Sequence, residues 1–174
     1  QLELASPGAK QALIQAIKDH GITSVIHLAA QKQVGVSVQQ PELYYEQNIG
    51  GMTNLLAAMR ETGVDRLVFS SSAATYGMPD VASVAEDQVC NPINPYGETK
   101  LIGEWMSANA TRAWGLRAAN LRYFNVAGAD PHCRTGQSTV GATHLLKIAV
   151  EAALGKRASV SIFGTDYATE DGTG

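Results

Sequence analysis

The sequence predicts an α/β fold in which helices cover both faces of a parallel sheet. Short apolar, β-branched runs alternate with longer segments of helical periodicity, at the spacing expected for βαβ units. The run over 24–30 has the apolar character of a buried parallel strand. With 45% apolar and 17% charged residues, the 174-residue chain can also fill a core.

The first three predicted elements are a helix, a strand and a loop. Leu13 and Ile17 are spaced for one face of a helix, and Gly21 ends it. The β-branched residues over 24–30 then change the period to that of a strand. A glycine-containing loop is expected over 31–40.

The middle of the chain continues the alternation. Pro41 begins a helical pattern that runs to Gly63, and a strand is predicted over 66–72. A polar, proline-containing loop connects this strand to a helix that starts near Pro95 and ends at about Gly115.

The last predicted strand of the sheet spans 116–122, and the character of the chain changes after it. The polar, glycine-rich stretch over 125–141 is long enough to be a functional loop. A helix over about 142–155 and a short strand over 158–163 follow. We therefore expect the sheet-forming part to end near residue 126.

Composition and charge exclude several classes of protein. The formal net charge of -3 leaves no basic excess for a row of phosphates, so nucleic-acid binding is not expected. No apolar run approaches about 18 residues, so neither a membrane span nor a secretory leader is expected. Cys90 and Cys133 are interpreted as free thiols in a reducing cytoplasm. The spacing of His132, Cys133 and His144 does not fit a zinc site, so no metal is expected.

The ends of the predicted strands define a candidate site. In open parallel sheets, ligands bind beyond the carboxyl ends of the strands. The segments 28–32, 70–73 and 122–125 follow the three predicted strands. Since parallel strands end at the same edge of a sheet, we expect these segments to converge on one crevice.

Tyr96 and Lys100 are the residues best suited to acid–base chemistry. At positions i and i+4 of a helix, their side chains share a face about 6 Å apart. The ammonium can lower the pKa of the phenol from about 10 toward neutrality, which makes the tyrosine a usable base. Such a pair also arises by chance, but Asn94–Pro95 and Gly97 place Tyr96 in the first helical turn, and the loop after Ser72 can return to it.

Two other candidates have simpler interpretations. Ser70, Ser71 and Ser72 could include a hydrolase nucleophile, but the sequence has no Gly-x-Ser-x-Gly. His27 lies inside an apolar run and is interpreted as a core histidine, not as a catalyst.

A family resemblance is carried by five segments, which are HLAAQK (27–32), SVQQPELYYEQNIGGM (37–52), VFSSSAATYG (68–77), NPYGETK (94–100) and LRYFNVAGA (121–129). They resemble the extended short-chain dehydrogenase/reductases, and within that family they are most similar to the enzymes that epimerise UDP-glucose at carbon 4. The resemblance covers essentially the whole chain. Dehydratases of the family typically carry Thr-Asp-Glu where this sequence has the three serines over 70–72.

The resemblance implies a fold, a cofactor and a reaction. The fold would be a Rossmann-like, doubly wound parallel sheet with a smaller substrate-binding domain. The cofactor would be NAD, which takes a hydride from carbon 4 of a UDP-hexose and returns it to the other face of a transient 4-keto sugar. The net reaction would be the isomerisation of UDP-glucose and UDP-galactose in galactose metabolism.

The resemblance also implies roles for individual residues. Tyr96 would remove the proton from the hexose 4-hydroxyl, Ser72 would hydrogen-bond that hydroxyl, and Lys100 would bind the nicotinamide ribose and tune Tyr96. The residues implied to line or support NAD, besides Tyr96 and Lys100, are Leu28, Ala29, Ala30, Lys32, Asn48, Ser70 and Phe124. The residues implied to hold the sugar nucleotide, besides Ser72 and Tyr96, are Asn125, His144, Ser161, Ile162 and Phe163.

One part of the family pattern is missing. The sequence has no Gly-x-x-Gly-x-x-Gly, the turn whose backbone amides receive the pyrophosphate. The resemblance therefore implies an internal piece of a protein roughly twice as long. Residues 1–126 would be a partial NAD-binding domain that lacks its first βαβ unit, and 127–174 would begin the substrate-binding domain.

Some alternatives stay open. The chain could derive from another NAD-dependent nucleotide-sugar enzyme, either a decarboxylase or a 4,6-dehydratase, or from a non-catalytic module that binds nucleotide sugars. The helices over about 42–62 and 96–113 resemble those that pair in dimeric relatives, so a homodimer is expected.

Overall fold

The computed structural model describes residues 2–81, 83–138, 141 and 144–173. The chain divides into two compact units, Gln1–Phe124 and Asn125–Gly174. This division falls two residues before the boundary expected at 126. The assignment of the units to cofactor and substrate binding stays a prediction.

A three-stranded parallel sheet forms the centre of the first unit. Its strands are β1 (Val25–His27), β2 (Arg66–Ser72) and β3 (Arg117–Tyr123), in the order β1-β2-β3. The predicted parallel α/β fold is therefore confirmed. β2 has the predicted bounds, and β3 is shifted by one residue. β1 is shorter than expected because its pairing with β2 stops at His27, so residues 28–30 follow the strand.

Helices connect the strands of the first unit, and a further helix lies in the second unit. In chain order they are α1 (Ala9–Asp19), α2 (Val34–Gln39), α3 (Pro41–Tyr44), a π-helical turn (Tyr45–Gly50), α4 (Gly51–Thr62), a 3₁₀ turn (Ala73–Tyr76), α5 (Pro95–Trp114) and α6 (Leu145–Ala153). The long helix predicted from Pro41 is confirmed as a continuous helical run that contains the π-helical turn. The loop predicted over 31–40 contains α2, and this prediction was wrong over Val34–Gln39.

The core lies on one face of the sheet. Leu67 and Phe69 of β2 belong to one buried cluster with apolar residues of α1, α4 and α5. Alternate residues of a strand face opposite sides, and Ile26 and Leu121, which face the other side, are 67% and 40% exposed. Helices were predicted on both faces of the sheet. In the described part of the first unit, they cover one face and leave the other exposed.

The described residues of the second unit form one helix and long connecting segments. α6 lies inside the helix predicted over 142–155, of which residues 142 and 143 are outside the described residues. The strand predicted over 158–163 is wrong, because this segment pairs with no other strand among the described residues. A turn follows, in which the backbone N–H of Tyr167 donates to the carbonyl of Gly172 at 3.0 Å.

Two negative findings apply to the described part of the chain. None of its helices has the length and hydropathy needed to cross a membrane. Its histidine, cysteine, aspartate and glutamate side chains do not assemble into a group of three suited to a metal ion.

Candidate active site

The first turn of α5 is fixed by a cap and by a close approach. The Asn94 side chain accepts a hydrogen bond from the backbone N–H of Gly97 at 2.9 Å, and Pro95 occupies the start of the helix. A Cβ atom on Gly97 would lie 2.6 Å from the carbonyl oxygen of Ala74. Glycine at this position therefore lets the turn that carries Tyr96 pack against the 3₁₀ turn that follows β2.

Ser72 ends β2 and caps that 3₁₀ turn. Its Oγ accepts a hydrogen bond from the backbone N–H of Ala74 at 3.1 Å. Its carbonyl accepts one from Thr75 Oγ1 at 2.9 Å. Because the cap uses only an acceptor lone pair, the Ser72 hydroxyl retains its own proton for a ligand.

Lys100 lies buried between α5 and β2. Its Nζ donates to the carbonyl oxygen of Ser70 at 2.7 Å, and the residue as a whole is only 4% exposed. Burial lowers the pKa of Lys100 to about 8. The Nζ atom is 5.8 Å from the centre of the Tyr96 ring, so the predicted juxtaposition of these two residues is present.

Asn48 connects the segment after β1 to the first turn of α5. Its Oδ1 accepts from the backbone N–H of Gln31 at 2.8 Å, and its Nδ2 donates to the Gln31 carbonyl at 3.1 Å and to Thr99 Oγ1 at 3.0 Å. Thr99 Oγ1 in turn donates to the carbonyl of Tyr96 at 2.8 Å. Asn48 lies in the π-helical turn, a feature frequently found at functional sites.

An ion pair between Glu104 and Arg122 lies beside the carboxyl end of β2 and was not expected from the sequence. Glu104 of α5 is 7% exposed and accepts hydrogen bonds from Ser71 Oγ and from Arg122, whose Nη2 is 2.7 Å away. Arg122 also donates to the Glu86 carbonyl at 3.0 Å and lies over the Tyr76 ring at 4.7 Å. The pair therefore joins α5 to β2, β3 and the loop before α5.

A comparison with models of protein families assigns the chain to a family. The model for the NAD dependent epimerase/dehydratase family matches residues 4–173. The chain belongs to this family. The predicted resemblance and the predicted NAD cofactor are thereby confirmed at the level of the family.

Relatives within the epimerase/dehydratase family are similar over almost the whole chain. A UDP-glucose 4-epimerase from Azospirillum brasilense is 49% identical over 95% of the chain and 48% of the relative. The structure of UDP-glucose 4-epimerase from Brucella ovis in complex with NAD is 41% identical, with a TM-score of 0.90 over 97% of this chain and 51% of that chain. The enzyme from Stenotrophomonas maltophila, with bound NAD and formylated UDP-arabinopyranose, is 39% identical, with a TM-score of 0.91 over 100% and 52%.

These comparisons support the predicted Rossmann-like fold of the family. They also show that the chain spans about half the length of the curated relatives it matches.

The other residues expected to contact NAD follow strands at one edge of the sheet. Leu28, Ala29, Ala30 and Lys32 come after β1, and Phe124 comes after β3. Leu28 and Phe124 are 64% and 68% exposed. Because all three strands are parallel, these residues and Ser72 belong to the carboxyl edge, where α/β sheets bind ligands.

The residues expected to hold the sugar nucleotide, other than Ser72 and Tyr96 of the first unit, lie in the second unit and are described within it. Asn125 begins this unit, and His144 precedes α6, with its Nδ1 2.8 Å from Gln137 Nε2. The segment that contains Ser161, Ile162 and Phe163 is exposed, and Phe163 is 92% exposed. Their roles as ligand contacts stay predictions.

His27 is buried, as the sequence analysis expected. It is 6% exposed and stacks on Phe69, with ring centres 5.8 Å apart. Burial first, and the charge of Lys100 second, lower its pKa from 6.5 to about 4. The imidazole is therefore neutral near pH 7.

Acidification is expected to destabilise the protein through His27. Between about pH 6.5 and about pH 4 the unfolded chain binds a proton that the folded chain does not, so stability rises with pH across this window. The loss on acidification is about 3 kcal/mol at most. Urea unfolding at several pH values should show a flatter dependence for His27→Gln than for the unchanged protein.

The exposed His20 supplies the matched control for this prediction. The variant His20→Gln should keep the pH dependence of the unchanged protein. If the free energy of unfolding changes with pH by the same amount in His27→Gln and in the unchanged protein, the prediction is contradicted.

Proposed function

We propose that the complete protein interconverts UDP-glucose and UDP-galactose as an NAD-dependent 4-epimerase. The observation that carries this proposal is the position of Tyr96 and the buried Lys100 on one face of α5, whose first turn packs against the turn capped by Ser72. Relatives named UDP-glucose 4-epimerase, up to 49% identical, support the choice of reaction.

The residues present fit a bound NAD. The carboxyl edge offers the exposed segment after β1, the exposed Phe124 and a buried ammonium at Lys100. Lys100 would hold the ribose, with Leu28, Ala29, Ala30, Lys32, Ser70 and Phe124 lining the cofactor. Both amide atoms of Asn48 bond to neighbouring protein groups, so it would support the cofactor by fixing the segment that begins at Gln31. When bound, NAD supplies the acceptor and donor of a hydride at the sugar carbon.

The chain's own residues would handle the proton. Tyr96 would take the proton from the 4-hydroxyl of the hexose and return it after the 4-keto sugar has turned over. Ser72 would orient that hydroxyl by a hydrogen bond, because its hydroxyl proton is not used by its capping bond. Lys100 would stabilise the phenolate electrostatically. The further substrate contacts proposed from the resemblance are Asn125, His144, Ser161, Ile162 and Phe163.

The test is incubation of the complete gene product with UDP-glucose. The proposal expects UDP-galactose to form until the two sugars reach equilibrium, with NAD retained by the protein and no net reduction. A released 4-keto or decarboxylated product would instead favour a dehydratase or a decarboxylase. Binding of UDP-glucose without turnover would favour a non-catalytic module.

We also propose a homodimer formed through the continuous helical run over 41–62 and through α5. Trp105 of α5 is 58% exposed, so a large apolar side chain is available on that helix for such a contact. Sedimentation of the complete protein should give a dimer, and a monomer at all concentrations would refute the proposal.

A cytoplasmic location is proposed from the cysteine usage. Cys90 and Cys133 are free thiols, which is typical of proteins kept in a reducing compartment. Fractionation of the source cells would test this location.

A further inference from the structure

The ring of Phe69 lies at the centre of the contacts around Lys100. Phe69 belongs to β2 and is 4% exposed. The Lys100 Nζ atom is 5.2 Å from the ring centre, and the His27 ring stacks on Phe69 with an interplanar angle of 20°. A basic side chain from α5 and an imidazole from β1 therefore share one aromatic ring.

Gly103 of α5 allows this arrangement. A Cβ atom on Gly103 would lie 2.5 Å from Cζ and 2.7 Å from Cε1 of Phe69, closer than real side chains approach. Gly103 and Lys100 are three residues apart, so they lie on the same face of the helix. Gly103, which leaves room for the Phe69 ring, therefore lies one helical turn from Lys100, whose ammonium is near that ring.

The ring compensates for the burial of the ammonium. An ammonium has three donors, and Lys100 donates one hydrogen bond to the Ser70 carbonyl at 2.7 Å. A cation within about 6 Å of an aromatic face is attracted by the ring quadrupole, and more strongly when it is desolvated. The rings of Phe69 and Tyr96, at 5.2 and 5.8 Å, supply this attraction to Lys100.

We propose that Phe69, admitted by Gly103, is a positioning residue that keeps Lys100 protonated and held against β2. Its consequence for turnover rests on the proposed epimerase function, whereas its effect on Lys100 itself does not. Phe69 acts through Lys100 and is not assigned a contact with substrate.

Lys100 has titratable neighbours on β1 and α5, and a substitution of Phe69 changes the aromatic ring without removing any of them. His27 faces it from β1 as a neutral imidazole near pH 7. Tyr96 lies one turn earlier on α5, and Glu104 lies one turn later with its carboxylate paired to Arg122. Substitution of Phe69 by leucine removes none of these groups, and His27 is the one among them that loses a contact with the ring.

The experiment measures the ionisation of Lys100 without measuring activity. The complete gene product, labelled with ¹³C at the lysine Cε positions, is titrated by NMR, and the Lys100 signal is assigned from its absence in Lys100→Arg. In Phe69→Leu we expect the Lys100 pKa to fall by about one unit below its value in the unchanged protein, because the protonated form loses the aromatic face. An unchanged or raised pKa would overturn the proposal.

Two further variants separate positioning from packing. Leu67→Ala removes core volume from the same face of β2 without touching the ring, so it should lower the Tm and leave the Lys100 pKa unchanged. Gly103→Ala should lower the Tm because its Cβ collides with Phe69. The double variant Phe69→Leu/Gly103→Ala should regain Tm relative to Gly103→Ala while the Lys100 pKa stays low. A double variant with the Lys100 pKa of the unchanged protein would show that the ring only fills space.

The activity measurement is kept separate from the titration. If the protein is an epimerase, Phe69→Leu should move the alkaline limb of the pH profile of kcat in the same direction as the Lys100 pKa. If the protein turns out to catalyse another reaction, the titration still decides whether Phe69 positions Lys100.

Discussion

Replacing Tyr96 by phenylalanine is expected to lower the turnover of UDP-glucose by about 10²- to 10⁴-fold, the range for loss of a positioned general base. The substitution removes the phenol oxygen that is proposed to accept the proton and keeps the ring. The capping bond between Asn94 and Gly97 and the bond from Thr99 to the Tyr96 carbonyl involve other atoms, so the first turn of α5 should remain intact.

Tyr45→Phe is the matched control for the loss of a phenol hydroxyl. The Tyr45 hydroxyl donates to Glu98 at the protein surface, and its removal should leave kcat within about twofold of the value for the unchanged protein. Coupled assays of UDP-galactose formation would compare the two variants. Normal turnover in a well-folded Tyr96→Phe protein that retains NAD would reject Tyr96 as the base.

Replacing Glu104 by alanine is expected to have the largest effect on stability, a loss of about 2–4 kcal/mol in the free energy of unfolding. The substitution leaves the Arg122 guanidinium, only 21% exposed at its side chain, without its carboxylate. It also removes the acceptor of the buried Ser71 hydroxyl. Arg122 keeps its bond to the Glu86 carbonyl and its contact with the Tyr76 ring, so the loss comes from the missing carboxylate and from the Ser71 hydroxyl left without its acceptor.

An exposed ion pair in the same unit provides the comparison. Lys10 and Glu61 are 2.7 Å apart, with side chains 38% and 47% exposed. Glu61→Ala should therefore cost no more than about 1 kcal/mol. Urea unfolding of both variants measures the difference, and equal losses would mean that burial does not strengthen the pair between Glu104 and Arg122. A double-mutant cycle with Arg122→Met would isolate their coupling.

The elements with strong local signals could be predicted from the sequence. β2 has the predicted bounds, and α5 begins at Pro95 and ends one residue before Gly115. Their boundaries depend on local chemistry, since proline fits the first helical turn and the glycine after the helix takes a positive φ of 80°. Such signals need no information about the rest of the fold.

The elements that depend on distant partners could not be predicted. The segment 158–163 has strand-like residues, but a strand exists only when another backbone pairs with it. Over 24–30, the same requirement limits β1 to Val25–His27. The short helix α2 contains Val34, Gly35 and Val36, residue types that disfavour a helix, so tertiary packing overrides their local preference.

The candidate site was predictable in part for the same reason. Tyr96 and Lys100 are four residues apart, so helical geometry alone brings them together. Glu104 and Arg122, or Asn48 and Gln31, meet only because the strands and helices are already assembled. From the sequence alone, a glutamate in a helix such as Glu104 is expected on the exposed face, whereas the structure buries its carboxylate. The available signal was its position four residues after Lys100, on the same face of α5.

The sheet order described above has a consequence for the folding rate. Every neighbouring strand pair is parallel, with Val25 beside Leu67 and Arg66 beside Arg117, so more than 40 residues separate the partners in each pair. The entropy of closing such long loops must be lost before the strand contacts stabilise the chain, which slows folding. We therefore expect the individual helices, whose hydrogen bonds are local, to form before the strands pair and before the carboxyl edge of the sheet is complete. The carboxyl edge of the sheet, where the proposed site lies, would then be the part of the molecule most dependent on chaperones during synthesis.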